Sequence, residues 1–165
     1  MKQIPLTKRG YYALVDDEDY DTLSKYKWYY RKHKFNHTAY TATRLKGSKK
    51  LIYMHQLLIT VPPNQHIDHK DRNGLNNQKS NLRPATPSQN HFNQRKAKGK
   101  TSIYKGVSFS NHNKKWRVQI MLNNQKLNIG LFTNEGHAGM AYDLWASYLF
   151  GEFAKTNFSI NSTGF

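Results

Sequence analysis

Four residues in the middle of the chain have the side chains that hydrolysis of a phosphodiester requires. Asp68 and His69 are adjacent, and Asn81 and Asn90 follow them. Carboxylate and carboxamide oxygens are the ligands that hard cations such as Mg²⁺ and Mn²⁺ prefer. An imidazole with an ordinary pKa of about 6.5 can act as general base on a water molecule near neutral pH. This combination indicates a phosphodiesterase that uses one divalent cation.

Short elements must hold these residues in place. Residues 67–69 are predicted to form a strand, residues 71–74 supply turn residues, and residues 81–85 return as a second strand or an extended arm. A helix is predicted to begin directly afterwards, with Thr86 as N-cap and Pro87 at the first helical position. The predicted order is therefore strand, loop, strand, helix.

Asp68 and His69 are expected to have different partners. Successive side chains of a strand point to opposite faces, so the two cannot project in the same direction. One of them can reach the first turn of the helix, where Asn90 lies, and share a cation with it. The other can reach toward the scissile phosphate.

The same residues resemble a known motif. Asp68–Gly74, Asn76–Asn77, Ser80–Arg83 and Asn90 are similar to the HNH motif of phage and intron homing endonucleases, and Tyr53–Leu57 resembles the short helix that precedes it in that family. The resemblance implies a ββα-metal fold for the N-terminal part of the chain and cleavage of DNA with a divalent cation, Mg²⁺ or Mn²⁺.

The resemblance also implies a role for each residue. His69 would be the general base, Asn81 would orient its ring, and Asp68 and Asn90 would bind the metal ion. The last motif position is asparagine rather than histidine, and the adjacent His91 is the alternative ligand.

The C-terminal part of the chain has the pattern of a small sheet followed by a helix. Apolar and polar side chains alternate in residues 116–121 and 126–131, which predicts two half-buried strands joined by a turn at Asn123-Asn124. The side chains expected to face inward are Trp116, Val118, Ile120, Leu127, Ile129 and Leu131. A helix is predicted to follow, with Thr133 as N-cap. Its expected core stripe is Ala138, Ala141, Tyr142, Trp145, Ala146 and Leu149.

Residues 104–158 resemble the APETALA/ethylene-response-factor DNA-binding domain. The similarity lies in Tyr104–Val107, Lys115–Ile120, Gly130–Phe132, Ala141–Asp143 and Asn157-Phe158. Such domains place the outer face of their sheet in the major groove, so the resemblance implies that this face binds DNA here. With the basic residues nearer the nuclease motif, the residues expected to bind DNA are Arg83, Arg95, Lys96, Lys98, Lys105, Arg117, Gln119, Lys126 and Asn128.

Charge and composition favour a nucleic-acid partner. The chain of 165 residues has 26 Lys and Arg against 10 Asp and Glu, a net charge of +16, and residues 24–121 hold 21 of the basic residues with only two acids. Neither a membrane span nor a signal peptide is evident, so we expect a cytoplasmic protein of a bacterial or phage-infected cell. Because there is no cysteine, disulfides are excluded and no structural zinc is expected.

We therefore expect an α+β protein in two parts. Residues 1–95 would form a ββα-metal nuclease domain with preceding short strands, residues 96–103 a basic linker, and residues 104–160 a three-stranded antiparallel sheet packed on one helix. The expected function is site-directed, homing-type cleavage of double-stranded DNA by a monomer or homodimer, with no membrane partner and no small-molecule cofactor.

Two other functions are compatible with the charge. One is a non-catalytic DNA-binding regulator that retains the HNH fold, although usable side chains occupy all four site positions. The other is an RNA-binding basic protein, which predicts salt-sensitive binding without metal-dependent cleavage.

Overall fold

The computed structural model describes residues 1–32, 38–45, 47, 49–94, 101–123 and 125–158. Over these residues the chain combines helices with small antiparallel sheets, which confirms the expected α+β class. The chain divides into two compact units, Met1–Pro87 and Ser88–Phe165. Among the helices in the described ranges, none is long and apolar enough to cross a membrane.

The first unit begins with a hairpin and a short helix that supply most of its apolar core. Strand β1 (Lys2–Pro5) pairs antiparallel with β2 (Tyr12–Val15), and helix α1 (Asp17–Leu23) follows. The buried core residues are Ile4, Leu6, Ala13, Val15, Leu23, Trp28 and Met54. The Nε1 of Trp28 donates to the carbonyl of Leu23 at 2.7 Å, so the polar atom of this side chain is satisfied inside the core.

A three-stranded sheet continues the first unit. Strands β3 (Tyr29–Lys32), β4 (Ala39–Arg44) and β5 (Leu51–Tyr53) pair antiparallel in this order. Helix α2 (His55–Leu58) follows β5 and overlaps Tyr53–Leu57, the stretch that resembles the short helix before the motif. Met54, at the junction, is fully buried, and its N–H donates to a carbonyl of β4 at 2.9 Å. The start of α2 is therefore anchored to the central strand.

The motif region folds in the predicted order along the chain. Strand β6 (His66–His69) pairs antiparallel with β7 (Leu82–Ala85), and a short 3₁₀ helix (Lys79–Asn81) leads into β7. Helix α3 (Pro87–Asn93) begins at the predicted proline, whose fixed φ suits the first helical position. The boundary between the units follows Pro87, so the rest of α3 belongs to the second unit.

The N-terminal elements hold the loop between β6 and β7. Leu14 of β2 exchanges two backbone hydrogen bonds with this loop, both of 2.8 Å. The carboxylate of Asp16 accepts the backbone N–H of Lys79 at 2.8 Å, and the Lys79 ammonium lies 2.6 and 2.9 Å from two carboxylates of α1. These carboxylates belong to Glu18 and Asp19, and we refer to Leu14, Asp16, Glu18 and Asp19 as the N-terminal brace. Acids of the stretch 16–21 are therefore part of the architecture of the first unit.

The second unit is a three-stranded sheet packed on one long helix. Strands β8 (Val107–Ser110), β9 (Lys115–Leu122) and β10 (Gln125–Phe132) pair antiparallel in this order, and helix α4 (Glu135–Phe150) contacts all three. The expected strands and helix are therefore present. The central strand buries Val118 and Ile120 of its predicted apolar face, whereas Trp116 is half-buried and Leu127 of β10, also expected to face inward, is 37% exposed.

The register of β10 and the start of α4 also differ from prediction. The β9–β10 register shifts by one residue after Asn128, so Leu131 lies opposite Arg117 and is 46% exposed instead of facing inward. A bulge has this effect because one extra residue reverses the alternation of the strand beyond it. Helix α4 is capped by Asn134, one residue after the predicted Thr133.

Helix α4 buries Ala138, Tyr142 and Ala146 of the predicted stripe, but two other positions differ from prediction. Trp145, expected in the core, is 39% exposed, whereas Asp143 is buried. The Asp143 carboxylate accepts the backbone N–H and the Nδ2 of Asn157 at 2.7 and 2.9 Å, and the N–H of Phe158 at 2.8 Å. These charge-assisted hydrogen bonds offset the desolvation of the carboxylate, which is why an acid can occupy the buried face.

Candidate active site

A buried ion pair fixes the direction of Asp68. This residue lies on β6 opposite Arg83 on β7, and the Nε and Nη2 of Arg83 donate to its Oδ2 at 2.9 and 2.8 Å. The side chains of Asp68 and Arg83 are 6% and 8% exposed, so water screens the pair very little. Arg83, a candidate for DNA binding, is thereby placed beside the candidate metal ligand.

His69 has aromatic neighbours, so the two adjacent side chains have different partners, as predicted. Its ring centroid lies 5.1 Å from that of His55 and 5.8 Å from that of Tyr40. Burial lowers the pKa of the His69 imidazole, while the Asn77 side chain and two nearby carboxylates act in the opposite direction. The imidazole is therefore neutral near pH 7, the state that a general base requires.

Asn81 binds the loop that follows His69. Its Nδ2 donates to the Oδ1 of Asp71 at 2.9 Å and to the carbonyl of Asn76 at 2.8 Å, and its Oδ1 accepts the N–H of Asp71 at 3.0 Å. Asp71 also accepts the backbone N–H of Asn73 at 2.8 Å and the Nδ2 of Asn76 at 2.8 Å. Asn81 thus binds the loop that begins two residues beyond His69, and its role in orienting the ring stays a prediction.

The loop approaches β4 closely at Gly74. A Cβ at this position would lie 2.5 Å from the carbonyl of Ala39 and 2.5 Å from the ring of Tyr40, so the loop has no room for a side chain there. Burial raises the pKa of the Tyr40 hydroxyl, and the charge of Asp68 acts in the same direction. Tyr40 is therefore an uncharged ring that contacts both the loop and His69.

Asp68 is the carboxylate of the first unit that the sequence predicts as a metal ligand. Within the described ranges, no three His, Asp or Glu side chains lie together as a metal-binding group. Mg²⁺ usually binds through one or two carboxylates, with water and substrate phosphate oxygens completing its octahedral shell. A single oriented carboxylate therefore fits a hard ion that is shared with the substrate.

The remaining candidate ligands lie on α3. Asn90 is half-buried and His91 is exposed. Within the second unit the Phe92 ring stacks on Phe150, with centroids 3.5 Å apart and an interplanar angle of 12°. The Lys105 ammonium donates to two carbonyls at the C-terminal end of α3, at 2.7 and 2.8 Å. Lys105, a candidate for DNA binding, therefore completes the hydrogen bonding of this helix end.

The outer face of the β8–β10 sheet holds the other candidates for DNA binding. Gln119 and Asn128 are cross-strand neighbours, joined by a hydrogen bond of 2.6 Å from Nε2 to Oδ1. Arg117 donates to the hydroxyl of Ser110 at 3.1 Å, and Lys126 is exposed. The register places all four candidates on one face. Arg95, Lys96 and Lys98 lie outside the described residues, as does most of the expected linker.

For three side chains near His69, the sequence gives little or no indication that they belong to the site. Asn77 belongs to the motif, but nothing in its spacing shows that it is fully buried beside the imidazole. His55 lies on α2, separated from β6 by a loop, and its sequence context suits ordinary packing as well as a supporting role. Tyr40 comes from β4, which reaches the site through tertiary structure alone.

Comparison with known proteins gives two relatives. The chain is 34% identical over 152 residues to a protein named "Uncharacterized HNH endonuclease L560" of Acanthamoeba polyphaga mimivirus, and the match covers 90% of this chain and 76% of that protein. It is also 42% identical over 57 residues to "Protein 3.8" of Escherichia phage T7, and this match covers 34% of this chain and 47% of that protein. No family model matches the chain.

A carboxylate and an imidazole are adjacent on one strand, followed by a loop that an asparagine binds, and a hydrolytic nuclease can use such groups. The similarity to the mimivirus protein extends over nearly the whole chain, and the chain belongs to the HNH endonuclease family. The similarity of the second unit to the APETALA/ethylene-response-factor domain stays a prediction.

Proposed function

We propose that the chain is a homing-type DNA endonuclease that hydrolyses a phosphodiester of double-stranded DNA with one divalent cation. The observation that carries this proposal is the separation of two roles on β6. Asp68 is oriented by a buried arginine, and the adjacent His69 lies neutral among aromatic rings. An anionic ligand and an uncharged base, one residue apart, supply what metal-assisted hydrolysis needs from the protein.

Residues of the first unit would have separate roles in the hydrolysis. His69 takes a proton from water at a ring nitrogen, and the resulting hydroxide attacks the phosphorus in line. Arg83 holds the Asp68 carboxylate in one direction, and Asn81 keeps the loop after His69 closed. No covalent intermediate with the protein is needed.

We propose Asp68 as a ligand of the cation, with Asn90, or His91 beside it in sequence, as the second ligand by resemblance to the family. Mg²⁺ or Mn²⁺ suits these donors. When bound, the cation would neutralise charge on the phosphate and stabilise the leaving 3′ oxygen.

The second unit would deliver the nuclease to its DNA site. Its exposed sheet face presents Arg117 and Gln119, which can pair with guanine and adenine in the major groove, each discriminating by about 1 to 3 kcal/mol. Lys126 would hold phosphate. The net charge of +16 supports a polyanionic partner. With one Asp-His pair in the chain, we expect a monomer to nick one strand and a homodimer to cut two.

The test is cleavage of supercoiled DNA that contains the gene's own flanking sequence. Wild-type protein, His69→Ala and Asp68→Ala are incubated with Mg²⁺, Mn²⁺ or EDTA. Metal-dependent nicking is expected for the wild type, with a rate lower by about 10² to 10⁴ in His69→Ala, the usual contribution of a general base. His66→Ala, an exposed histidine of the same strand, is the matched control and should cleave normally. Tight binding without cleavage under any metal would refute the nuclease and leave the regulator.

A further inference from the structure

His55 contacts the candidate base although 13 residues separate them in the sequence. The His55 and His69 ring centroids are 5.1 Å apart and the ring planes are at 81°, an edge-to-face arrangement that aromatic rings favour. Tyr40 forms a second wall, 5.8 Å from the His69 ring. The imidazole of His69 is therefore enclosed by rings from two other elements of the first unit.

The His55 ring is itself held from two sides. It stacks on Tyr53 with centroids 5.5 Å apart and an interplanar angle of 2°, and it meets Tyr40 edge-on at 6.0 Å. Its chain neighbour Met54 is fully buried in the core. Because this ring is anchored, a rotation of His69 away from its observed orientation would forfeit the edge-to-face contact without any compensating movement of His55.

His55 acts here as an uncharged ring. Burial lowers its pKa to about 3, and the neighbouring His69 acts in the same direction. Its Nδ1 is buried and makes no hydrogen bond within the part of the chain that the structure describes. Ring packing, rather than a hydrogen bond from Nδ1, therefore joins His55 to His69, and no positive charge is added beside the base.

We propose that His55 is a positioning residue, whose ring fixes the orientation of the His69 imidazole for proton transfer. The inference rests on the proposed function, since it takes His69 as the general base. It assigns to the short helix before the motif a role in positioning the base, in addition to packing. A misplacement of about 1 Å at a reacting group can lower a rate by about 10²-fold, so holding one ring in place has a measurable effect.

Two variants distinguish the effect of an aromatic ring at position 55 from that of an apolar side chain that only fills the space. His55→Phe retains an aromatic ring, and His55→Leu fills the site with an apolar group that has none. In steady-state nicking with Mg²⁺, His55→Leu should have a kcat lower than that of the wild type by about 10- to 100-fold, with a KM within about twofold of the wild-type value. His55→Phe should have a kcat within about threefold of the wild-type value. Equal kcat values for the two variants, or a change confined to KM, would overturn the proposal. His66→Ala again serves as control.

An NMR measurement keeps this test independent of cleavage. Nuclear Overhauser effects between the His69 and Tyr40 rings are compared in the full-length wild type and both variants. They should persist in His55→Phe and weaken in His55→Leu, because the His69 ring would leave its orientation. Unchanged effects in His55→Leu would overturn the positioning role. If wild-type protein does not cleave DNA while these effects behave as expected, the proposed function fails and the ring contact stands.

Discussion

Arg83→Met is expected to destabilise the first unit strongly, because it leaves the Asp68 carboxylate buried without its ion pair. Two N–H groups of Arg83 reach one oxygen at 2.8 and 2.9 Å, and both side chains are less than a tenth exposed. Removing one partner of a buried pair typically costs about 3 to 5 kcal/mol. Two charge-assisted hydrogen bonds, at about 1.5 to 3 kcal/mol each, give a loss of the same size.

Neutralising the carboxylate should reverse much of this loss. In Arg83→Met with Asp68→Asn no charge is left buried, so the double variant should be more stable than the sum of the two single effects predicts. We expect a coupling energy of about 2 kcal/mol or more in the double-mutant cycle, against about 0.5 kcal/mol for sites that do not interact.

Urea unfolding followed by the fluorescence of Trp28 measures this change in the first unit. Trp28 is 1% exposed in the core of that unit, and Trp116→Phe with Trp145→Phe removes the tryptophans of the second unit from the signal. All variants are made in this background of the full chain. A loss below about 1 kcal/mol in Arg83→Met, or additive effects in the cycle, would refute the argument that the pair is buried and isolated from solvent.

Three further predictions concern other parts of the chain. Burial lowers the pKa of His55 from 6.5 to about 3 in the folded protein, so the unfolded state binds more protons below pH 6.5. The free energy of unfolding should therefore fall by up to about 1.4 kcal/mol per pH unit as the pH drops from 6.5 toward 3. Urea unfolding at several pH values should show a smaller fall in His55→Phe. Gly106→Ala should destabilise the second unit by about 3 kcal/mol, because Gly106 has φ +76° and a Cβ there would overlap the Tyr142 ring; an unchanged thermal midpoint would contradict this. Asp143→Ala should speed hydrogen exchange of the Asn157 amide, which loses its acceptor, and unaltered protection of that amide would argue against the carboxylate as its anchor.

The features that could be predicted from the sequence are those set by neighbouring residues. Turn residues and a capping pattern place strands β6 and β7 and the start of α3 at Pro87, and strand geometry alone separates the partners of Asp68 and His69. Alternation predicts strand β9 and its buried face for the same reason. These patterns involve residues close in sequence, so they do not depend on how the rest of the chain folds.

The features that could not be predicted depend on contacts between distant residues. No local pattern shows that Asp16 accepts a hydrogen bond from Lys79, because the two are 63 positions apart. Asp143 is buried only because the chain returns to it, and Leu131 is exposed only because a bulge shifts the register before it. In each case a tertiary contact decides where a side chain lies, and periodicity describes secondary structure alone.

The N-terminal brace has a consequence for the order in which the chain can fold. Closing the loop from Asp16 to Lys79 must be completed before its hydrogen bonds can form, and non-local closures of this kind slow folding. During synthesis the N-terminal hairpin and α1 leave the ribosome first and remain without their partners until the motif has emerged. A peptide of residues 65–95 would contain the whole motif and yet lack the segment that secures its loop. The nuclease site is therefore acquired late, as a property of a nearly complete first unit.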